Sequence, residues 1–192
     1  MIAAIVLLVA VVLFRLVLPS AGSGFANFTP LAALALCGAA WLPKRVAIAL
    51  PLLALFISDL FLNARYGVSL FTAEMVVRYG ALLGVAAIGF VLRDSRSFGR
   101  LMLGAVAGSV LFYVSTNTAS WLTDPAYAKT AAGWVQALTL GVPGIQPQAW
   151  MFFRNALAGD LFFTALFVGC MAITARKAAS GVPAGEAAVG VR

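Results

Sequence analysis

Histidine is absent from the chain, cysteine occurs twice and acidic residues only six times. Without histidine the chain lacks both the commonest metal ligand and the usual general base near neutral pH. Cys37 and Cys170 stand singly in apolar segments, without CxxC spacing. Metal-site and His-based catalytic readings fall away on that composition. A GxxxxGK[ST] loop is missing, so the chain does not drive itself through a P-loop. GxSxG, HExxH and clustered-carboxylate patterns are missing too, so it does not read as an enzyme and no cofactor is expected. Charged residues make up only 10% of the chain, too few for the surface of a soluble domain.

Apolar residues fill the space instead. They make up 63% of the chain, and the mean hydropathy of +1.03 lies outside the range of soluble globular domains. The fold class expected is an all-α integral membrane protein. A spanning helix takes about 20 apolar residues, so 192 residues hold about six spans in one bundle, without a separate soluble domain. The net charge of +7 reads as topology, not nucleic-acid binding, because the basic residues fall where the apolar stretches end.

Residues 2–18 form the first predicted span; a signal-peptide core would begin with basic residues, whereas here Arg15 sits at the far end. A Gly/Ser-rich connection, 19–26, leads to Asn27-Phe28-Thr29-Pro30, where Asn27 or Thr29 can cap and Pro30 suits the first turn of a second helix ending near Leu42. Lys44 and Arg45 form a tight turn before a third helix over 46–62, which contains Pro51 and ends on Ser58-Asp59. A polar connection, 63–74, precedes a fourth helix over 75–92. Arg78 falls in its first turn, four positions from Glu74 and so a candidate partner for it. The basic connection 93–100 leads to a fifth helix over 101–121, and a sixth runs from Phe152 to Arg176-Lys177. Residues 1–177 are thus the transmembrane domain, and 178–192, small and Gly/Pro-containing, a disordered cytoplasmic tail. In the long connection 122–151, Tyr127, Ala131, Trp134 and Leu138 recur at helical spacing. That predicts an amphipathic helix over 127–138, ended by Gly141-Val142-Pro143-Gly144.

Lys44, Arg45, Arg93, Arg96, Arg100, Arg176, Lys177 and Arg192 fall on one side; Arg15, Arg65, Arg78, Lys129 and Arg154 fall on or toward the other. The positive-inside rule then places both termini in the cytoplasm. With that orientation Asp59 and Asn117 lie within about one turn of outer helix ends, and Arg78, Arg154 and Asn155 in the first turn of inward-running helices. Asp160 lies about two turns deep. A charge at the centre of a spanning helix costs roughly 2.5–3.5 kcal/mol on insertion scales, so several at one depth point to a polar cavity. Residues 81–89, 101–110 and 161–173 carry almost no polar group, which favours a pocket open outward and closed below over a channel.

Each of these residues also has a plainer reading. Asp59 can pair with Arg78 or Arg154 to hold helices together, and either arginine can reach lipid headgroups. Asn155 and Asp160 are five positions apart, about 140° around a helix, so both cannot face one ligand equally. Trp121, Trp134, Trp150, Tyr127, Phe152 and Phe153 suit an aromatic belt as well as a stacking pocket. Gly80/Gly84, Gly104/Gly108 and Ala35/Ala39 have small-xxx-small spacing, for packing within the bundle or against a second protein.

Three segments resemble a known family: Asn27-Phe28-Thr29-Pro30-Leu31-Ala32-Ala33-Leu34-Ala35-Leu36, Leu52-Leu53-Ala54-Leu55-Phe56-Ile57-Ser58-Asp59-Leu60-Phe61-Leu62 and Phe152-Phe153-Arg154-Asn155-Ala156-Leu157-Ala158-Gly159-Asp160-Leu161-Phe162-Phe163. They resemble an uncharacterised bacterial family of transport proteins, itself similar to the substrate-binding S components of energy-coupling factor (ECF) transporters. Asn117 with Trp121 fits the same likeness. The resemblance implies a six-helix bundle in the bacterial cytoplasmic (inner) membrane that binds a vitamin or related micronutrient from outside. It implies ECF-type transmembrane coupling and ATPase subunits as partners, unless the chain works alone as a facilitator. Cobalamin is one candidate; in some relatives a cysteine ligates its cobalt, whereas Cys37 falls mid-membrane and Cys170 near the inner side.

On this reading Asp59, Arg78, Asn117, Arg154, Asn155 and Asp160 orient the solute. Trp121 and Phe152, with Trp134, supply stacking surface, and the 127–138 helix is a lid. The alternative is a structural or assembly protein whose polar groups only fix helix packing. A void lined by these side chains favours the first; Asp59 paired with an arginine that fills the space favours the second.

Overall fold

The structure, a computed structural model, describes residues 2–17, 23–69, 71–144 and 147–180. Among these it contains seven α-helices and no strand: α1 (Ile2–Val17), α2 (Leu31–Trp41), α3 (Lys44–Tyr66), α4 (Ala73–Val91), α5 (Phe98–Thr123), α6 (Ala131–Leu138) and α7 (Ala149–Ser180). Four of them, α3, α4, α5 and α7, are long and apolar enough to cross a membrane, and the protein is a membrane protein on that ground. α2 is different. Its 11 residues rise about 16 Å, roughly half of a 30 Å hydrocarbon core.

The long helices outrun their sequence-read limits because the stop and start signals sit further out. Residues 63–66, expected in a connection, continue α3 until Gly67, whose φ of 65° ends the helix in the left-handed conformation. Thr72 starts α4 by accepting the Met75 amide at 3.2 Å, and Ser97 starts α5 by accepting that of Arg100 at 3.4 Å. Lys44 and Arg45 are helical, following Pro43. Asp59, Arg78 and Arg154 therefore lie roughly 3–6 Å further from their helix ends than the sequence boundaries imply. α7 extends through Ser180; the remainder of the expected tail, 181–192, lies outside the described residues, as does the connection over 18–22.

α2 is the hub of the bundle. Nine of its residues, Leu31 and 33–40, are buried, packed among α3, α4, α5 and α7. Its small residues allow that approach. A Cβ on Gly89 of α4 would come within 2.2 Å of the Leu36 carbonyl oxygen, and Gly108 of α5 receives Val85 of α4. The Gly84, Gly104 and Gly108 surfaces thus meet neighbours within the bundle, while Gly80 opens onto free space.

Both ends of α2 are held by side chains from other helices. At its C-terminus Arg93 donates from Nε and Nη2 to the Ala39 carbonyl, at 3.0 and 2.8 Å, and from Nη2 to that of Leu42. A cation there satisfies orphan carbonyls and complements the helix dipole. Arg93→Ala is expected to lower stability by about 1.5–3 kcal/mol, the worth of a hydrogen bond to a charged group. Lysine should restore only part, because it lacks the planar fork; thermal unfolding in detergent reads both.

α6 lies on α5, with the Trp134 indole donating to Thr118 Oγ1 at 2.9 Å and the Tyr113 hydroxyl to the Leu138 carbonyl at 2.6 Å. It begins four residues later than the spacing predicts, because Thr130 accepts the Gly133 amide and caps it. Tyr127 is buried in the preceding turn, which Asp124 closes by accepting the Ala126 amide at 2.8 Å. Gly133 and Ala137 form the buried face and Ala131 is exposed, so the packed stripe is displaced from the expected one.

Candidate functional site: a cavity at the head of the half-length helix

α2 starts without a side-chain cap: Pro30 is its N-cap residue and makes no such bond. The cap comes from α7. Asp160, 5% exposed, accepts the Ala33 amide and the Ser109 hydroxyl of α5 at 2.5 Å. A carboxylate at a helix N-terminus sits at the positive end of the dipole, which accounts for a buried acid with no cationic partner among the described residues. Gly159 lets α7 approach, since a Cβ there would come within 3.2 Å of the Thr29 nitrogen.

The chain reaches α2 through residues 24–30, which are non-helical apart from the end of a short 3-10 turn, Ser23–Phe25. Asn155 fixes this segment, its Nδ2 donating to the Gly24 and Ala26 carbonyls at 3.0 and 2.9 Å. Asn27 has a φ of 66°, a left-handed conformation that asparagine tolerates better than most residues. Where an upper half of α2 would stand, the bundle instead encloses a cavity of about 390 Å³.

Two arginines stand in its wall. Asp59 of α3, 2% exposed, bridges two arginines, with Arg15 Nη2 at 2.9 Å from one carboxylate oxygen and Arg78 Nη1 at 3.1 Å from the other. Asp59 itself stands behind the cavity; Arg15 and Arg78 line it. Two cations share one anion, so the ionised cluster carries a net charge of +1. Asn117, Thr116 and Ser120 of α5 add polar groups, Phe112, Tyr113 and Phe152 aromatic surface, and Ser109 and Asp160 flank the head of α2. Asn117 spends its Nδ2 on the Tyr113 carbonyl at 2.9 Å, leaving its amide oxygen without a protein partner among the described residues.

Of the residues expected from sequence, Arg78, Asn117, Phe152 and Asp160 meet at this cavity. The other four have different tasks. Asp59 orients the two arginines, and Asn155 holds residues 24–26. Arg154 is exposed, bonded to Asn155 Oδ1 at 3.1 Å and set over the Trp150 ring at 5.5 Å. Trp121 donates to the Ala128 carbonyl and closes the turn before α6. The anticipated Glu74–Arg78 pair is absent: Glu74 accepts from Thr123 at 2.9 Å, while Arg78 reaches Asp59. Arg15 was missed as a site residue; its place at the far end of an apolar run was in view, but its partner lies 44 positions away. Ser109, Tyr113, Thr116 and Ser120 were missed because helical hydroxyls need no special explanation in sequence. A second, wider depression of about 520 Å³ lies between α6 and the loop after it; among the described residues no charged side chain lines it.

Fold and site together define a helical membrane protein with a polar cavity set into an apolar bundle. The chain belongs to a family of unknown function (DUF6580), whose model matches residues 1–184. Neither a curated protein nor a solved structure matches it.

Proposed function

We propose that this chain is a substrate-binding membrane transport protein that takes up a small organic solute, a vitamin or related micronutrient, through the cavity above α2. The observation that carries the proposal is the void itself. Asp59 is paired, as a purely structural role requires, yet the space before the two arginines stays open at about 390 Å³. That is the lower end of ligand pockets, roughly 300–1,000 Å³. A whole cobamide, with its macrocycle and nucleotide loop, exceeds it, so smaller solutes are favoured.

In this proposal the protein crosses the bacterial inner membrane six times, α2 completing its crossing through residues 24–30. Irregular backbone at membrane depth is tolerated where it lines a cavity, and half-helices beside central binding sites recur in transporters. The excess of Lys and Arg at the Arg93 end supports cytoplasmic termini and a cavity that opens outward. The lid is residues 24–30 in preference to α6, because Asn27 and Thr29 line the cavity and no α6 residue does. ATP-driven coupling subunits are the partners the ECF likeness adds; facilitation alone is the simpler case.

Thermal unfolding of the detergent-purified protein against vitamins, nucleobases and their precursors tests this. A solute at about 100 times its Kd should stabilise by about 2.7 kcal/mol. Asn117→Leu, which replaces the amide facing the cavity with an apolar side chain and removes only a bond to its own helix, should fold and abolish the shift. Silence across a panel of acids, bases and neutral solutes would leave the structural reading in place.

A further inference from the structure

Resting on that reading, we infer that the solute is an organic anion whose carboxylate, or equivalent oxyanion, docks between the Arg15 and Arg78 guanidiniums. The inference starts from a surplus. One arginine suffices to neutralise Asp59, and a buried one-to-one pair is the usual economy inside a membrane. Here each carboxylate oxygen carries its own arginine, from α1 at 2.9 Å and from α4 at 3.1 Å. A structural clamp between α3 and either neighbour needs only one of these contacts. The second cation is costly in an apolar bundle unless something else balances it.

The cavity offers the place for that balance. Each guanidinium has five N–H groups, and each gives Asp59 one hydrogen bond. Both side chains line the cavity, and both are largely withdrawn from solvent, 14% and 30% exposed. The remaining acid at the cavity, Asp160, bonds the Ser109 hydroxyl and the Ala33 amide and makes no ion pair with either arginine. Planar guanidiniums bind carboxylates through paired, charge-assisted hydrogen bonds. An anion there would complete a two-by-two array of alternating charge, while Asn117, Phe112 and Phe152 meet the body of the solute.

The test compares acids with neutral analogues of the same shape on the wild-type protein in detergent: nicotinate with nicotinamide, pantothenate with panthenol, and a series of short and aromatic carboxylates with their amides. Acids are expected to raise Tm, and each neutral partner to bind at least about tenfold more weakly, the loss of a charge-assisted hydrogen bond. Arg78→Gln and Arg15→Gln each leave Asp59 with one partner, so both should fold and lose the preference for the acid. If neutral or cationic solutes bind as well as acids, the anion assignment is overturned while solute binding stands. If nothing in the panel binds, the proposed function itself fails. If soluble acids are silent and short-chain phosphatidylglycerol alone stabilises the protein in an Arg78-dependent way, the surplus cation serves a lipid headgroup, and the inference is overturned. The acid–amide comparison needs no variant, so misfolding of either glutamine substitution leaves the test decisive.

Discussion

Asp59→Ala is expected to be among the most damaging single changes, costing about 3–5 kcal/mol, because it strands two arginines inside the bundle instead of removing a pair. Arg15 and Arg78 come from helices on either side of α3; without the carboxylate they repel one another. Removing the surplus should therefore help. Asp59→Ala combined with Arg78→Gln should be more stable than Asp59→Ala alone, a coupling of opposite sign to simple additive damage. Unfolding midpoints of the four proteins in the cycle give the answer, and a double variant no better than the single one would show that Asp59 does not hold Arg78.

Gly89→Ala should cost about 3 kcal/mol, at the upper end for overpacking, although alanine is the better helix former by about 1 kcal/mol. The new methyl would meet the Leu36 carbonyl oxygen at 2.2 Å and Ala39 Cβ at 2.8 Å, and neither can rotate away. Two glycines on the same helix serve as controls. At Gly84 the nearest atom is the end of the Leu111 side chain, which can swing aside. At Gly80 nothing lies within 4 Å, so alanine there should be neutral or stabilising. Equal Tm values for the Gly80 and Gly89 variants would mean that α2 and α4 do not touch as described.

Much of the bundle could be read in advance because apolar length is a strong signal. Intramembrane charges were also conspicuous, and four of the eight residues singled out do line one cavity. Depth was harder. Helix ends were placed at the first polar residues, whereas Gly67 and Thr72 set the real limits. Partnership was harder still. Arg15 and Asp59 are 44 positions apart, and nothing local shows that α1 delivers its arginine to α3. Asn155 looks like a ligand residue beside Arg154, but its amide answers backbone carbonyls 129 and 131 positions away. The half length of α2 was in plain view between Pro30 and Pro43; its meaning depends on what stacks above it, which sequence spacing does not report.

The double tether on α2 bears on how anything could pass. With Asp160, itself held by Ser109, at one end and Arg93 at the other, this short helix is fixed like a bulkhead, not free like a piston. In the proposed uptake, admission on the cavity side would require residues 24–30 to leave the Asn155 side chain that holds Gly24 and Ala26. Delivery to the opposite side would require the whole bundle to tilt or both grips to let go at once.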